Sequence, residues 1–568
     1  MIFKKIFIFS LIAMIFSQCN KIDEKIYDTA VTSNSLKTEA DMVYMMAGTQ
    51  SLLAENVYVT PGEMWNLLEY GGDMMMNITT NGSTGTVTST KTVTPDYINL
   101  WYTYYSLYRA INNLNYMLDA LPTLKVDSTF RVRAEGELKF NRAFCYYNLV
   151  TTWGAVPIRT TATTSSTEFN IPRSPVDSVY SLIFSDLKKA SANLLHKSSP
   201  YIFKLGNSNK GAALGLLAVS YQRYGNYLDL GGKPSNATQA YTTSKMYCDS
   251  VINCGEYSLI PNYADLWDVS KEANAYKTEV IWGVRFARDA NAGGTSAGSV
   301  FAYRSQPGSR AGVCGNVTAQ GSGTNNNRVQ PWAYKFYTTG TYAGDYRSDV
   351  TFLTKWTSRS NAAKTKVTWP MPVGPNDEVV GSTFPYDFPF INKYVDGLAT
   401  NFSGQENDLF FIRLAEIYLI KAETENELNG PTAEAYAAFN MIRARARMAT
   451  GTARLTPANL TPGLTKDQFR QAIFEERGLE FIGEAKRWGD LVRMKSSTST
   501  TMMEYQYNKV LNTMVRAFPV WNATTQLWSV TDLEPTGSPT AFNPRWLLFP
   551  FPQAELDKNA LFKQNPGY

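Results

Sequence analysis

The stretch EERGLEFIGEAKRWGDL, residues 475–491, decides the fold, because charged side chains recur in it at helical intervals among apolar ones. Four of these charges follow one another at intervals of three, four and three residues, which brings them to one face of a helix. They are Arg477, Glu480, Glu484 and Arg487. We expect a single long helix from Lys466 to about Met494 that carries this charged face.

The charged face has a catalytic interpretation and a structural one. Glycosidases need two carboxylates about 5–10 Å apart, but Glu480 and Glu484 would meet that distance on any helix, so proximity does not discriminate. A di-iron site would need a Glu-x-x-His motif, whereas the one histidine, His196, lies far away in the sequence. We therefore interpret the face as ion pairs that hold helices together, and we assign no catalytic residue.

Composition excludes several classes of protein. Of 568 residues, 44% are hydrophobic and 18% are charged, so the chain can build a core and is not intrinsically disordered. The net charge of +5 is too small for a nucleic-acid-binding surface. Five cysteines are too few for a disulfide-built scaffold, and a single histidine disfavours zinc sites and catalytic triads. We predict no cofactor, no metal and no nucleic-acid partner, and the composition favours a protein that is not an enzyme.

The N-terminus predicts export and lipid attachment. Lys4 and Lys5 precede an apolar run from Ile6 to Phe16, which has the length of a signal peptide and is too short to span a bilayer core of ~30 Å. Cys19 follows this run and resembles the acylated cysteine of a bacterial lipobox. We expect a lipoprotein signal peptide over residues 1–18 and a membrane anchor on Cys19. The alternative is a cleaved signal peptide followed by an incidental cysteine.

Helical periodicity accounts for much of the mature chain. The helices predicted from it span residues 38–56, 97–121, 128–153, 175–195, 209–224, 237–254 and 431–448, with another beginning near Asn407. The pair at 209–224 and 237–254 combines small and aromatic residues and resembles a degenerate tetratricopeptide-type helical pair. Such pairs stack and thereby bury apolar surface that neither helix could bury alone. The sequence therefore predicts a mainly α fold.

Two stretches are too polar to form a core. Residues 71–95 are rich in Thr, Asn, Ser and Gly, and residues 290–328 include a Gly-rich segment with Ser, Thr and Asn at most other positions. Loops of this length in a compact protein are usually functional or mobile. We expect both stretches to be exposed.

Several motifs together resemble the SusD/RagB family of outer-membrane nutrient-binding lipoproteins. They are RAEGELKFNRAFCYY (133–147) with WGAVP (153–157), FIRLAEIYLIKAE (411–423), the stretch at 475–491, and LFKQNPGY (561–568). The resemblance covers essentially the whole mature chain. It implies a single SusD-like domain over residues 19–568, with an N-terminal part from about 19 to 230 and a C-terminal part from about 275 to 568.

The resemblance also implies an architecture and a partner. Tetratricopeptide-like helical pairs would support a loop-rich, ligand-binding half with a few short strands. The lipid anchor would hold the protein at the outer membrane, exposed at the cell surface. Its partner would be a TonB-dependent outer-membrane barrel of the SusC/RagA type, for which the lipoprotein acts as a lid. We therefore expect a protein that captures an oligosaccharide and passes it to this barrel by binding and gating, without making or breaking bonds.

A glycan offers C–H faces and hydroxyl groups, so its binding site needs exposed aromatic rings beside amide, carboxylate or guanidinium groups. Aromatic residues in periodic helices are expected in the core instead; they are Trp101, Tyr105, Tyr108, Tyr146 and Tyr147. The candidates for ligand contact lie in or beside the two polar stretches. The predicted ligand-binding residues are Trp65, Asp73, Asn77, Tyr303, Arg304 and Trp332.

Two functions of other classes stay open at this point. One is a secreted or periplasmic helical-repeat scaffold that binds protein, and the other is a glycoside-active enzyme. The lipobox and the family-like C-terminus favour the nutrient-binding lipoprotein over the scaffold. The sequence offers no acid/base constellation in a loop motif, which argues against the enzyme.

Overall fold

The computed structural model describes the chain in ranges that leave out residues 1–35, so the predicted signal peptide and Cys19 lie outside the described residues. The described ranges are 36–54, 64–77, 88–89, 91–163, 170–199, 208–286, 298–308, 310, 327–357, 365–367, 377–378, 389–399, 404–449, 452–510, 517–522, 527–532 and 541–568.

The N-terminal part is built from consecutive helices. They are α1 (Glu39–Leu52), α2 (Met64–Tyr70), α3 (Ile98–Ala120), α4 (Ser128–Trp153), α5 (Val176–Asn193), α6 (Lys210–Leu230) and α7 (Pro234–Asn253). Side chains fix where three of them begin. Thr38 forms a capping box at α1, while Asp127 and Asn209 accept hydrogen bonds from first-turn N–H groups of α4 and α6. The helices predicted in this part are confirmed, and α6 is longer than predicted.

Helices α6 and α7 pack closely against each other as a hairpin. A Cβ atom added to Gly225 of α6 would lie 2.6 Å from the ring of Tyr241, so only glycine permits this approach. The Ser244 hydroxyl donates to the carbonyl of Ala218 at 2.7 Å across the same interface. The small residues therefore bring the two helices together, and the predicted tetratricopeptide-like pair is confirmed.

The C-terminal part continues with shorter and more varied helices. They are α8 (Glu272–Lys277), α9 (Phe301–Ser305), α10 (Pro331–Thr338), α11 (Tyr346–Thr351), α12 (Leu414–Asn429), α13 (Ala433–Ala446), α14 (Lys466–Phe481), α15 (Arg487–Arg493), α16 (Met502–Tyr505) and α17 (Gln553–Lys558).

Short strands lie between these helices. They are β1 (Met75–Asn77), β2 (Val280–Val284), β3 (Asn327–Val329), β4 (Phe352–Leu353), β5 (Lys355–Thr357), β6 (Thr365–Val367), β7 (Asp377–Glu378), β8 (Phe390–Ile391), β9 (Leu409–Arg413), β10 (Met448–Ala449), β11 (Thr452–Ala453), β12 (Ala517–Asn522) and β13 (Leu527–Asp532). One sheet has the order β1-β3-β8-β4 and another the order β5-β6-β7, while β2 pairs with β9, β10 with β11, and β12 with β13.

The helix predicted near Asn407 begins later than expected. Residues 409–413 form β9, which pairs antiparallel with β2 so that Val284 faces Leu409 and Val280 faces Arg413. All of β9 is buried, and α12 starts at the next residue. A short apolar run fits a buried strand and a buried helix equally well, so periodicity alone could not separate the two.

The single helix predicted from Lys466 to about Met494 is wrong, because the chain breaks it into α14 and α15. Gly483 and Ala485 between them have φ values of +84° and +60° in the left-handed region, which a continuing α-helix does not allow. The carboxylate of Glu69 accepts a hydrogen bond from the Ala485 N–H and holds the turn. Glu484 consequently lies in the turn and Arg487 begins α15, so of the four charges Arg477 and Glu480 lie together on α14.

The C-terminal segment packs over the helical part. The indole N–H of Trp153 donates to the carbonyl of Pro550 at 2.9 Å. The amide of Asn565 donates to the carbonyls of Trp153 and Phe549 at 3.1 and 2.8 Å. These contacts join the end of α4 to the end of the chain. The predicted mainly α fold is confirmed, and within the described ranges no helix combines the length and apolarity needed to cross a membrane.

Candidate functional site

A buried ion-pair cluster lies at the junction of β9, α13 and α14. Arg413 is its centre: its Nε contacts Glu484 Oε2 at 2.8 Å, and its Nη1 contacts Glu279 Oε1 at 2.6 Å and Glu480 Oε1 at 3.1 Å. Arg347 adds a contact to Glu480 at 3.0 Å. All five side chains are almost completely excluded from solvent. The cluster therefore connects segments that lie far apart in the sequence.

The electrostatics of this cluster fix Glu480 as an anion. Burial alone would raise the pKa of its carboxyl group, but the guanidinium groups of Arg445, Arg413 and Arg347 lower that pKa well below its usual value. A carboxylate held in this state is a poor proton donor near neutral pH. The interpretation of Glu480 and Glu484 as structural ion-pair partners is confirmed.

A second buried cluster joins α12, α14 and α15. Arg477 contacts Asp490 at 2.7 Å and Glu416 at 3.2 Å, and Arg493 contacts Glu423 at 2.5 Å and Asp490 at 2.6 Å. Buried charges persist in proteins when they are paired in this way. The charged motifs at 411–423 and 475–491 are therefore two halves of one scaffold.

Asp73 belongs to this scaffold and not to an exposed loop. Its carboxylate accepts two hydrogen bonds from Arg487, at 2.7 and 3.0 Å, and one from Gln506 at 3.1 Å. Its backbone carbonyl accepts from the indole N–H of Trp332 at 2.9 Å. Burial raises the pKa of Asp73, but the charge and hydrogen bonds of Arg487 and the hydrogen bond from Gln506 together lower that pKa below its usual value. The structure thus brings two predicted ligand-binding residues together inside the core.

The expected exposure of Trp65 and Trp332 is contradicted. Trp65 is 2% exposed, since the whole of α2 is buried, and its indole N–H donates to the carbonyl of Gly483 at 2.8 Å. Its ring packs edge-on against Tyr70 at 5.9 Å. Trp332 is also buried, with its N–H directed to Asp73. Both indoles serve packing, because their polar atoms and their faces are occupied by the protein itself.

Asn77 is also mostly buried. It lies in β1 opposite Asn327 of β3, and its backbone N–H donates to the hydroxyl of Ser89 at 3.0 Å. The side chain of Asn327 in turn accepts from the Tyr70 hydroxyl and donates to Ser305 at 3.1 Å. A ladder of amides and hydroxyls therefore connects β1, β3 and the end of α9.

Tyr303 and Arg304 are the predicted ligand residues that remain partly exposed. They lie on α9, whose first residue, Phe301, packs between Trp65 at 5.7 Å and Tyr394 at 5.2 Å. The backbone N–H of Tyr303 donates to the side chain of the buried Gln405 at 3.0 Å. The aromatic core thus anchors α9 from below and leaves its outer side partly open to solvent.

Arg310, which the sequence did not single out, extends this surface. Its guanidinium donates to Asn392 Oδ1 at 2.7 Å and to Gln306 Oε1. Burial lowers its pKa to about 10, and among the described residues no carboxylate forms an ion pair with it. We call Tyr303, Arg304 and Arg310 the α9 rim. A sequence signal existed, since Arg310 stands in a Gly/Ser-rich segment without acidic neighbours.

The aromatic residues of α3 and α4 differ from each other in exposure. Tyr146 and Tyr147 are buried, as predicted. Tyr105 is 41% exposed, so its prediction as a core residue is wrong, and Trp101 and Tyr108 are only partly buried. The rings of Trp101 and Tyr105 stack 4.9 Å apart at an angle of 12°. One turn of α3 therefore presents a stacked aromatic pair to solvent.

The cysteines and acidic groups give no metal centre in the described ranges. No three His, Cys, Asp or Glu residues there are arranged to hold a metal ion. Cys145, predicted to be a small buried apolar residue, is buried, and burial raises the pKa of its thiol. A buried thiol of this kind is inert.

Two family models match this chain. One, described as SusD family, matches residues 278–568. The other, described as starch-binding associating with outer membrane, matches residues 28–221. Between them the matched regions contain the motifs at 133–157, 411–423 and 475–491 and both buried ion-pair clusters, while α7 lies between the two regions.

Similar proteins are found by sequence and by structure. SusD-like protein P25 of Formosa agariphila is 29% identical over 418 residues, which are 69% of this chain and 69% of the relative. A SusD homolog from Bacteroides thetaiotaomicron superposes with a TM-score of 0.72 at 20% identity, covering 94% of this chain and 98% of that one. A laminarin-binding SusD-like protein superposes with a TM-score of 0.66 at 22% identity, covering 94% and 100%. At these identities the superpositions show a common fold.

Proposed function

We propose, because this chain belongs to the SusD family, that it binds a glycan at the cell surface and delivers it to a TonB-dependent outer-membrane barrel of the SusC/RagA type. The family resemblance found in the sequence is confirmed by the match of residues 278–568 and by the SusD-like relatives. This membership is the observation that carries the proposal. A glycan is favoured as the ligand because one similar structure is a laminarin-binding protein and the second family model is described as starch-binding.

The proposal includes the location and the anchor. The second family model is described as associating with outer membrane, which supports an outer-membrane location. The basic residues, the short apolar run and Cys19 support a signal peptide over residues 1–18 and acylation of Cys19. Several acyl chains on one cysteine give a stable anchor where a single chain would be marginal.

We also propose that residues 19–568 act as one domain. Two contacts support this, since each joins the N-terminal part to the C-terminal part through buried groups. Trp153 donates to Pro550, and Asp73 pairs with Arg487. A lid that moves as one body over a barrel requires this kind of connection between its halves.

The α9 rim is the surface we assign to ligand contact. Tyr303 offers an aromatic ring, and Arg304 and Arg310 offer N–H donors to sugar hydroxyl groups. The rim stands on a fixed base, because Gln306 below it donates to the carbonyls of Ile391 and Tyr394 at 3.0 and 2.9 Å. A preorganised rim loses little conformational entropy when it binds a ligand.

Binding without bond-making is the mechanism we propose. As the acid of a glycosidase pair Glu480 would have to donate a proton, whereas three arginines hold it ionised. Its neighbour Glu484 is engaged by Lys393 at 2.7 Å and Arg413 at 2.8 Å. These carboxylates hold the scaffold that supports the rim.

Affinity electrophoresis tests the glycan-binding part of the proposal. The purified chain is run in gels that contain starch, laminarin or other polysaccharides, and we expect its migration to be retarded by at least one of them. Tyr303→Ala should reduce the retardation. Tyr44→Ala is the matched control, because Tyr44 is 73% exposed and lies on α1 away from the rim. A wild-type chain that no polysaccharide retards would contradict the proposal.

Co-purification tests the delivery part. The chain carrying a C-terminal affinity tag is isolated from detergent-solubilised outer membranes of its own host. We expect a TonB-dependent barrel to be recovered with it in a defined stoichiometry. Recovery of the chain without any barrel, under conditions that preserve other outer-membrane complexes, would contradict delivery and leave glycan binding standing.

A further inference from the structure

A cavity of about 430 Å³ lies between α3 and α17, and no residue of the α9 rim lines it. This volume falls within the range of roughly 300–1,000 Å³ typical of small-molecule sites. Its wall includes Tyr104, Tyr105, Tyr108, Arg109, Asn112 and Phe562. Neither the family matches nor the sequence motifs assign a role to it.

The aromatic side of this cavity is rigid. Tyr104 packs edge-on against Phe551 at 5.8 Å and against Phe562 at 6.5 Å. The Tyr108 hydroxyl donates to the carbonyl of Pro157 at 2.7 Å. Tyr105 forms the outer edge and is backed by the parallel ring of Trp101. The rings therefore form a preorganised apolar wall that a ligand can contact without rearranging them.

The polar side of the cavity carries an excess of positive charge. Arg109, Arg159 and Lys558 are cationic, and Glu555 is the acidic residue of the wall. Arg109 and Lys558 form no ion pair with any described residue. Burial raises the pKa of Glu555, while Lys558 and Arg159 lower it, so this one carboxylate faces three cations and the concave site keeps a positive potential.

An amide donor completes the polar side. Asn112 Oδ1 accepts from the backbone N–H of Thr163 at 2.7 Å, which leaves its NH₂ group without a partner among the described residues. Arg159 donates to the hydroxyl of Thr163 at 3.1 Å, so the same segment orients both side chains. The amide and the Glu555 carboxylate offer one donor and one acceptor suited to hydroxyl groups.

We propose that this cavity is a second saccharide site, which binds a sugar unit that carries a carboxylate or a sulfate group. The aromatic wall contacts the C–H face of the sugar ring. Asn112 and Glu555 bond its hydroxyl groups, and Arg109 with Lys558 bonds its anionic group. The inference rests on the proposed glycan-binding function and adds to it a charge preference located outside the α9 rim.

The charge preference separates this ligand from a neutral sugar and from a simple aromatic acid. A neutral sugar would use the wall and the amide but would leave Arg109 without a counter-charge and Lys558 with the Glu555 carboxylate alone. An aromatic carboxylate such as benzoate would use the wall and the cations but would leave Asn112 and Glu555 without hydroxyl partners. Only an anion that also carries hydroxyl groups contacts the aromatic wall, the two cations, Asn112 and Glu555 together.

Ligand-observed nuclear magnetic resonance titrations on the purified full chain test the inference. The probes are sodium glucuronate, glucose 6-sulfate, glucose and sodium benzoate. We expect glucuronate or glucose 6-sulfate to bind about tenfold or more tightly than glucose, which corresponds to one charge-assisted hydrogen bond. Stronger binding of glucuronate than of the sulfate, or the reverse, identifies the anionic group. Benzoate should bind no better than glucose.

Variants locate the binding. Arg109→Ala combined with Lys558→Ala should remove the preference for the anionic sugars over glucose, and Tyr105→Ala should weaken the binding of all three sugars. The controls are Lys125→Ala and Tyr44→Ala, which remove an exposed lysine and an exposed tyrosine elsewhere. Thermal unfolding of each variant verifies that it is folded.

Equal binding of glucuronate, glucose 6-sulfate and glucose would overturn the inference. So would a preference for the anions that survives the double substitution, or benzoate binding as tight as that of glucuronate or glucose 6-sulfate. These results leave the proposed function intact as long as a polysaccharide still retards the chain in gels. Loss of that retardation in the wild type, by contrast, contradicts the proposed function itself.

Discussion

Arg487 donates two hydrogen bonds to Asp73, although 414 positions separate the two residues in the chain: Nε to Oδ1 at 2.7 Å and Nη2 to Oδ2 at 3.0 Å. Both side chains are buried. The pair joins the segment that follows α2 to the start of α15, and Gln506 completes the environment of the carboxylate. A residue predicted to bind ligand thus serves to hold the two ends of the fold together.

Asp73→Asn should destabilise the protein. The substitution leaves the Arg487 guanidinium buried without its counter-charge, and breaking a buried pair in this way costs about 3–5 kcal/mol of the free energy of unfolding. Chemical denaturation measures the change. Because the rim is a separate surface, affinity for the glycan should be unchanged in the folded variant.

A double-mutant cycle with Arg487→Met tests whether the cost comes from this pair. The double variant should be more stable than Asp73→Asn alone, since no unpaired charge is then buried. Additive losses would show that the two residues act independently. A full loss of glycan affinity in a stable Asp73→Asn variant would restore Asp73 as a ligand-binding residue.

Glu484→Gln should also lower stability without changing ligand affinity. The carboxylate contacts Lys393 at 2.7 Å and Arg413 at 2.8 Å, and both cations are almost fully buried. The thermal unfolding midpoint should therefore fall, while calorimetric affinity for the glycan stays the same. Glu39→Gln is the control, because Glu39 is exposed in the first turn of α1. Weakened binding at unchanged stability would place Glu484 in a site.

The sequence could predict the helices but not the partners of their charges. The spacing of Arg477, Glu480 and Arg487 indicates helical structure, and it also predicts ion pairing. Each partner, however, comes from a distant element: Arg477 pairs with Glu416, and Arg487 pairs with Asp73. The sequence also could not predict that the helix breaks at Gly483. Glycine occurs within helices as well as between them, and only its φ value shows which of the two applies.

Stability should decrease as the pH rises because of Glu272 and Asp408. Burial, and then the neighbouring Asp408 carboxylate, raise the pKa of Glu272 to about 9, and burial raises that of Asp408 to about 6. The unperturbed values are 4.5 and 3.8. Between about pH 4 and about pH 9 the folded state therefore binds more protons than the unfolded chain. The free energy of unfolding falls as the pH rises through this range.

Glu272→Gln isolates this contribution. The amide cannot ionise, so the unfolding midpoint of the variant should decrease less than that of the wild type between about pH 5 and pH 9. Arg285, which lies 3.5 Å from Asp408 and 3.8 Å from Glu272, and the Tyr276 hydroxyl, which donates to Asp408 at 2.8 Å, also face the pair. The Glu406 carboxylate raises the pKa of Glu272 further. Identical pH profiles for the variant, the wild type and Glu39→Gln would contradict the assignment.

Cys19→Ala should abolish the membrane anchor. Without a thiol at this position no diacylglycerol can be attached, so the chain should stay unprocessed or be released from the outer membrane. Phase separation in detergent measures the result: the wild type should enter the detergent phase and the variant should leave it. Cys254→Ala is the control, since it removes a partly buried cysteine of the folded part. Unchanged partitioning of Cys19→Ala would contradict the lipoprotein assignment.

The candidate site was less predictable than the fold. Trp65 and Trp332 border polar segments in the sequence, yet both are buried because their indole N–H groups find carbonyl partners in distant segments, at Gly483 and Asp73. The prediction for Tyr105 was wrong in the opposite sense. Its position on a periodic helix favoured the core, but Tyr105 is exposed and lines the cavity beside α17. The polarity of neighbouring residues in the sequence does not determine which face of a helix is buried by a segment that lies far away in the sequence.

The affinity of Tyr303→Ala for the bound glycan tests the central claim most directly. Isothermal titration calorimetry with an oligosaccharide of the polysaccharide that retards the wild-type chain should show binding weakened by roughly 1–3 kcal/mol, the loss expected for a stacking ring at a binding hot spot. Trp65→Phe, which removes a buried N–H bonded to Gly483, should instead lower stability and keep the affinity. An unchanged affinity of Tyr303→Ala, with loss of affinity in a stable Trp65→Phe, would contradict the account and place the glycan elsewhere.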